Sequence, residues 1–198
     1  MTTFTSRFAA FALLAGLATT TLATVAGAQP IAGPEAGPTE PTPAGADLVG
    51  PEQPPLLSIG LNKSSAVYQA GDLLRVKLKV EQTSYVYVFY HQADKQAVLL
   101  FPNNSRRHNL LGSRTTITAP AENDTLQCRI GAPFGREAVQ VITSPTRITD
   151  FERALSSAGQ GVPVMPTRVV DQVCQKHAEK ASLIADFVTL TTQERAAE

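Results

Sequence analysis

Six consecutive residues, Tyr85-Val-Tyr-Val-Phe-Tyr90, offer a β-strand no charged or amide side chain with which to make a wet face. A run so rich in β-branched and aromatic residues has to lie centrally in a sheet that is covered on both sides. Just before it, residues 74–80 (LRVKLKV) alternate strictly. Leu74, Val76, Leu78 and Val80 fall on one face and Arg75, Lys77 and Lys79 on the other, as in a half-solvated antiparallel strand. Residues 92–96 form a turn and 97–101 return, stopped by Pro102-Asn103, so the aromatic run is one arm of a hairpin.

Further strands are expected at 115–118, 126–130, 137–143 and 183–190. About seven short strands separated by turn signals predict a mainly β domain, an antiparallel two-sheet β-sandwich of Ig-like type. Two C-terminal helices precede the last strand. Thr149-Asp150-Phe151-Glu152 has the form of a capping box, with Gly159 placed to end that helix in the left-handed conformation. The second helix is expected over 168–180. There Val169, Val170, Val173, Cys174 and His177 form one stripe for packing on a sheet.

Only the C-terminal part of the chain has the composition of a folded domain. Residues 1–28 read as a signal peptide: Arg7, an apolar run over 8–18, and Ala26-Gly27-Ala28 as the small-x-small cleavage pattern. Thr19, Thr20 and Thr21 interrupt the run well short of the roughly 20 apolar residues that a spanning helix needs. No transmembrane span is therefore expected in the mature chain. Residues 29–55 hold eight of the 14 prolines and four acids with no Lys or Arg, the composition of a disordered Pro/Ala/Gly-rich tether. Residues 56–198 carry 16 basic against 13 acidic side chains, so the overall neutrality conceals a mildly basic domain on an acidic leash. Neither a nucleic-acid binder nor a disordered chain is expected of that part.

Several blocks in this domain occur in a recognisable order: Tyr68-Gln-Ala-Gly71-Asp72, the strand 85–90, Leu100-Phe101-Pro102-Asn103, Pro120, and Pro133-Phe134-Gly135-Arg136-Glu137. Together they resemble the bacterial domain-of-unknown-function family 4384, well over residues 56–145 and loosely in the helical tail. The resemblance implies a small β-rich extracytoplasmic or surface-associated module, and it implies no catalytic residues. Relatives often have Asp-Gly at the hairpin turn, where this chain has Ala93-Asp94-Lys95-Gln96. Physically, the blocks read as turn chemistry. Gly71 supplies a positive φ, Asp72 accepts backbone hydrogen bonds, Pro102 and Asn103 end a strand, and Phe134 tucks under its loop between Pro133 and Gly135.

Candidate chemistry is sparse. Cys128 and His177 are the one cysteine–histidine pair that a small envelope hydrolase could use. Cys128 shares a strand face with Leu126 and Ile130, pointing into a core that makes a thiol inert. A disulfide between Cys128 and Cys174, in an oxidising compartment, is the better reading of the two cysteines, worth roughly 4 kcal/mol on a chain-entropy argument. The alternative is two separate buried thiols. His91, His108 and His177 are scattered without CxxC or HxxxH spacing, so neither metal nor cofactor is expected. Gly159-Gln160-Gly161 follows a helix and is no phosphate loop, and Ser64, Ser105 and Ser144 lack a G-x-S-x-G setting. The remaining signal is an arginine loop, Arg106, Arg107, His108 and Arg114, whose forks suit a carboxylate, a phosphate or an acidic partner.

The sequence thus predicts a non-enzymatic exported protein, periplasmic or otherwise at the cell surface, that binds an envelope protein or another envelope component. The alternatives are the Cys128/His177 hydrolase and a sensor of small acidic ligands at the arginine loop.

Overall fold

The computed structural model describes residues 56–196. The signal peptide over 1–28 and the tether over 29–55 lie outside the described residues. In chain order the elements are β1 (Leu57–Leu61), β2 (Val67–Gln69), β3 (Leu73–Leu74), β4 (Val76–Val80), β5 (Ser84–His91), β6 (Gln96–Phe101) and β7 (Leu110–Leu111). They continue with β8 (Thr115–Ala119), β9 (Cys128–Arg129), β10 (Arg136–Ser144), α1 (Thr149–Ser157), β11 (Val164–Pro166), α2 (Thr167–Ala178) and β12 (Ile184–Gln193).

Two sheets pack face to face in the manner of a β-sandwich. The smaller has the order β1-β4-β8, and the larger β11-β6-β5-β10-β12-β2, with β7 added beside β5 and β3-β9 forming a separate short pair. Between the sheets, the apolar face of β4 (Val76, Leu78, Val80) meets Val86, Val88 and Tyr90 of β5 and Val139 and Val141 of β10. The alternate residues of the same central strands, Tyr87, Phe89 and Ile142, face the other way. They pack under Phe151 and Leu155 of α1 and Val170 of α2. The aromatic run is therefore buried on both faces, one against a sheet and one against helices, as its composition demands. The layers are small sheet, large sheet, helices.

Every pairing is antiparallel except β2 with β12, which run parallel over Val67–Gln69 and Thr191–Gln193. The strand expected over 74–80 breaks at Arg75, whose amide donates to the Asn62 side chain at 2.9 Å instead of to a neighbouring strand. The strand expected over 126–130 shrinks to Cys128–Arg129. There the Gln127 amide group donates to the carbonyls of Ala121, Glu122 and Asp124, holding the preceding residues in a loop.

The capping box does not form. Helix α1 begins with Thr149 already inside it, Ile148 occupies the cap position, and no side chain caps the first amides. Glu152 is drawn elsewhere: Tyr87 Oη donates to its carboxylate at 3.1 Å and Arg147 bonds it at 3.2 Å. A tertiary partner in the sheet thus displaces the local one. Gly159 takes φ +58° just after the helix, as expected of a left-handed stop.

Candidate functional site

The arginine loop is tied down by its own residues. Asn103 and Arg106 exchange backbone hydrogen bonds at 3.1 Å, and the Asn103 side-chain oxygen accepts from the amides of Ser105 and Arg106. The Arg106 guanidinium then turns inward. Its Nε and Nη2 reach the Asp124 carboxylate at 2.9–3.2 Å, Nη2 also donates to the Thr118 carbonyl at 2.7 Å, and the group lies 5.1 Å from the Phe101 ring centroid. Asn103 Nδ2 and the Ala121 amide donate to the same carboxylate. Burial pushes the Asp124 carboxyl up, but the bonds from Arg106, Asn103 and Ala121 outweigh it and hold the group below the usual range.

Arg106 is thus a clamp within the domain and not a free fork for a ligand. Of the other predicted binding residues, Arg107 is exposed and donates to Asn104 Oδ1 at 2.9 Å, and His108 is exposed. Arg114 sits exposed in the turn before β8 with φ +58°.

The two cysteines are free. Cys128 is buried in the core between the sheets, and Cys174 packs on the helix side of the large sheet. A full sheet separates them, which is why no disulfide forms. Burial pushes the Cys128 thiol up to about 12 and the Cys174 thiol to about 11, so neither is a ready nucleophile. His177 belongs to α2, on the helix side, and is not brought to Cys128. Its Nε2 lies instead 2.8 Å from Ser144 Oγ and 3.3 Å from Thr146 Oγ1. Ser144 is only 1% exposed, so this contact ties the end of β10 to α2 and presents no accessible hydroxyl.

The remaining family blocks are structural in the way their residue types imply. Gly71 has φ +90°, and Asp72 accepts from Lys63, from the Gln69 amide at 2.7 Å and from Arg195 at 3.5 Å. Lys63 holds the Asp72 carboxyl below its usual range. Tyr68 is fully buried and donates to Asn62 Oδ1 at 2.8 Å. Phe101, Pro102 and Asn103 are buried, and Phe134 packs beneath its loop against the inter-sheet core. The peptide bonds before Pro102, Pro120 and Pro133 are cis. At Gly135 an added Cβ would lie 3.3 Å from the Ala93 side chain, and its amide donates to Thr192 Oγ1 at 3.0 Å.

Glu137, last residue of the P-F-G-x-E block, was not singled out by sequence as a buried acid. It accepts from Tyr90 Oη and from the Ala93 amide at 3.1 Å, which fastens the hairpin turn onto β10. Burial raises its carboxyl above the ordinary range despite these bonds. His91 is similarly enclosed, between Gln140 Oε1 at 2.8 Å and Thr167 Oγ1 at 3.0 Å. Among the described residues no group of three or more His, Cys, Asp or Glu side chains gathers to hold a metal. No described helix is long and apolar enough to cross a membrane.

Backbone groups without a strand partner occur elsewhere, along β12. This strand pairs with β10 over Ile184–Thr191, but β2 covers only its last three residues on the other side. The Thr192 amide donates towards β10, to the Gly135 carbonyl, whereas the Thr191 amide donates away, to Ala66. By the period of two, the backbone groups of Ala185, Phe187 and Thr189 face the open side. There the Phe187 side chain is 53% exposed, Ile184 is 37% exposed, and the Phe187 amide is capped by Asp186 Oδ1 at 2.8 Å.

These features define a small β-sandwich-like module with helices on one sheet face. Residues 67–147 match the family model described as a domain of unknown function (DUF4384). No curated protein and no solved structure matches the chain.

Proposed function

We propose that this protein is an exported, non-enzymatic binding module that captures an extended segment of a cell-envelope protein along the open edge of β12. Export rests on the N-terminal sequence pattern. The single observation that carries the binding role is the exposed edge over 184–190: a row of backbone donors and acceptors flanked by Phe187 and Ile184. An added strand would satisfy those groups, and the two apolar side chains would select its partners. Sheets ordinarily blunt such an edge, and over 184–190 Asp186 is the one charged side chain.

The test uses the full chain expressed in its own host, with a photo-cross-linking residue at Phe187. A cross-link to an extended segment of one envelope protein is expected. Thr189→Pro removes an outward amide without touching the β10 ladder, so the fold should persist while the cross-link is lost. No cross-link, or one that Thr189→Pro leaves unchanged, would overturn the proposal.

A further inference from the structure

Helices α1 and α2 lie on the same face of the large sheet. Between the start of α1 and the last turn of α2 they leave a cleft of about 470 Å³. Arg147 and Arg153 line it from the α1 side, Lys176 and Lys180 from the α2 side, and Asp150 is the one acid in its wall. Arg147 pairs with Glu152 at 3.2 Å and Arg153 with Asp150 at 2.9 Å, each through a single terminal nitrogen. Arg147 is also held over the Tyr85 ring at 5.4 Å, so Arg153 keeps most of its five N–H donors available and Arg147 fewer. Lys176 and Lys180 enter no ion pair among the described residues.

Lysines at the end of a helix are ordinary, because the helix dipole favours them there. Two more cations facing them from a different element are not. Like charges that converge on a concave surface repel one another, and the low-dielectric walls focus their potential. An anion in the cleft would relieve that repulsion.

We infer that this cleft binds a phosphate-bearing ligand. The two arginines already pair with Glu152 and Asp150, so the surplus is the two lysine charges, and a phosphoryl group, with up to about two negative charges and several acceptor oxygens, matches that surplus better than a single carboxylate. The volume falls within the range of small-molecule sites and leaves room for an organic portion beside Val173 and Ala181. The site is separate from the β12 edge, so either proposal can fail alone.

The probes are inorganic phosphate, glycerol 3-phosphate, and vesicles of phosphatidylcholine with or without phosphatidylglycerol, each titrated against the full-length protein. Saturable binding that weakens with added salt is expected. Lys176→Gln with Lys180→Gln should lower affinity about tenfold or more, the worth of one charge-assisted hydrogen bond. Lys77→Gln, an exposed cation of β4 outside the cleft, should leave it unchanged. Response to the soluble probes alone identifies a free phosphate ester, and response only to phosphatidylglycerol vesicles identifies a lipid headgroup. Binding to none of the probes, or equal binding by the lysine double variant with a native circular-dichroism spectrum, overturns the inference.

Discussion

At the scale of single residues, what a side chain does here follows from the partner that the fold sets against it. Arg106 and Arg107 are neighbours of the same type, yet one is locked onto a carboxylate that is 3% exposed and the other bonds an exposed asparagine. Arg106→Ala should therefore cost about 3 kcal/mol by urea denaturation, because it strands the Asp124 charge, while Arg107→Ala should change stability by no more than about 0.5 kcal/mol. Glu137 supplies a pH signature. Burial holds its folded carboxyl above the ordinary glutamate range, so between the unfolded and folded values the native state holds more protons than the unfolded one. The stability it contributes is complete at pH below the unfolded carboxyl's titration and is lost as pH rises through the folded value. Glu137→Gln should flatten that decline in a denaturation series across this window. Asp124 acts in the opposite sense: with its folded carboxyl lowered, its stabilisation is present above the unfolded value and is lost as pH falls through the folded one.

At the scale of elements, periodicity carries most of the information. The alternation in β4 and the unbroken apolar run of β5 both appear where their patterns place them, because a strand's two faces are set by its own side chains. Of the expected stripe on α2, Val170, Val173 and Cys174 pack on the sheet side, His177 bonds Ser144, and Val169 belongs to neither core cluster. Short elements escape such reasoning. β2, β3, β7 and β9 span only two or three residues, too few for any period to register, and they exist because a neighbouring chain segment offers hydrogen bonds. The start of α1 shows the limit of a local motif. Thr149→Ala should destabilise the protein by less than about 0.5 kcal/mol in thermal or urea unfolding, below the roughly 1 kcal/mol of a working cap, because Thr149 makes no capping bond.

At the scale of the whole molecule, the large sheet acts as a partition. Cys128 lies on its sandwich side and Cys174 on its helix side, so titration of denatured, unreduced protein should find two free thiols. Finding none would place the two cysteines in one bond and contradict the layer order. The same partition separates Cys128 from His177 and gathers Arg147, Arg153, Lys176 and Lys180 into one cleft, although up to 33 positions divide them along the chain. By itself the sequence determined the β-rich class, the buried central hairpin, the two helices and the family blocks, because hydrophobic period and turn chemistry are properties of adjacent residues. Only the tertiary structure decided which charges are clamped and which are free, which edge of β12 stays open, and which cysteine faces which core. Those outcomes depend on contacts between distant segments, and no local pattern of residue types encodes them.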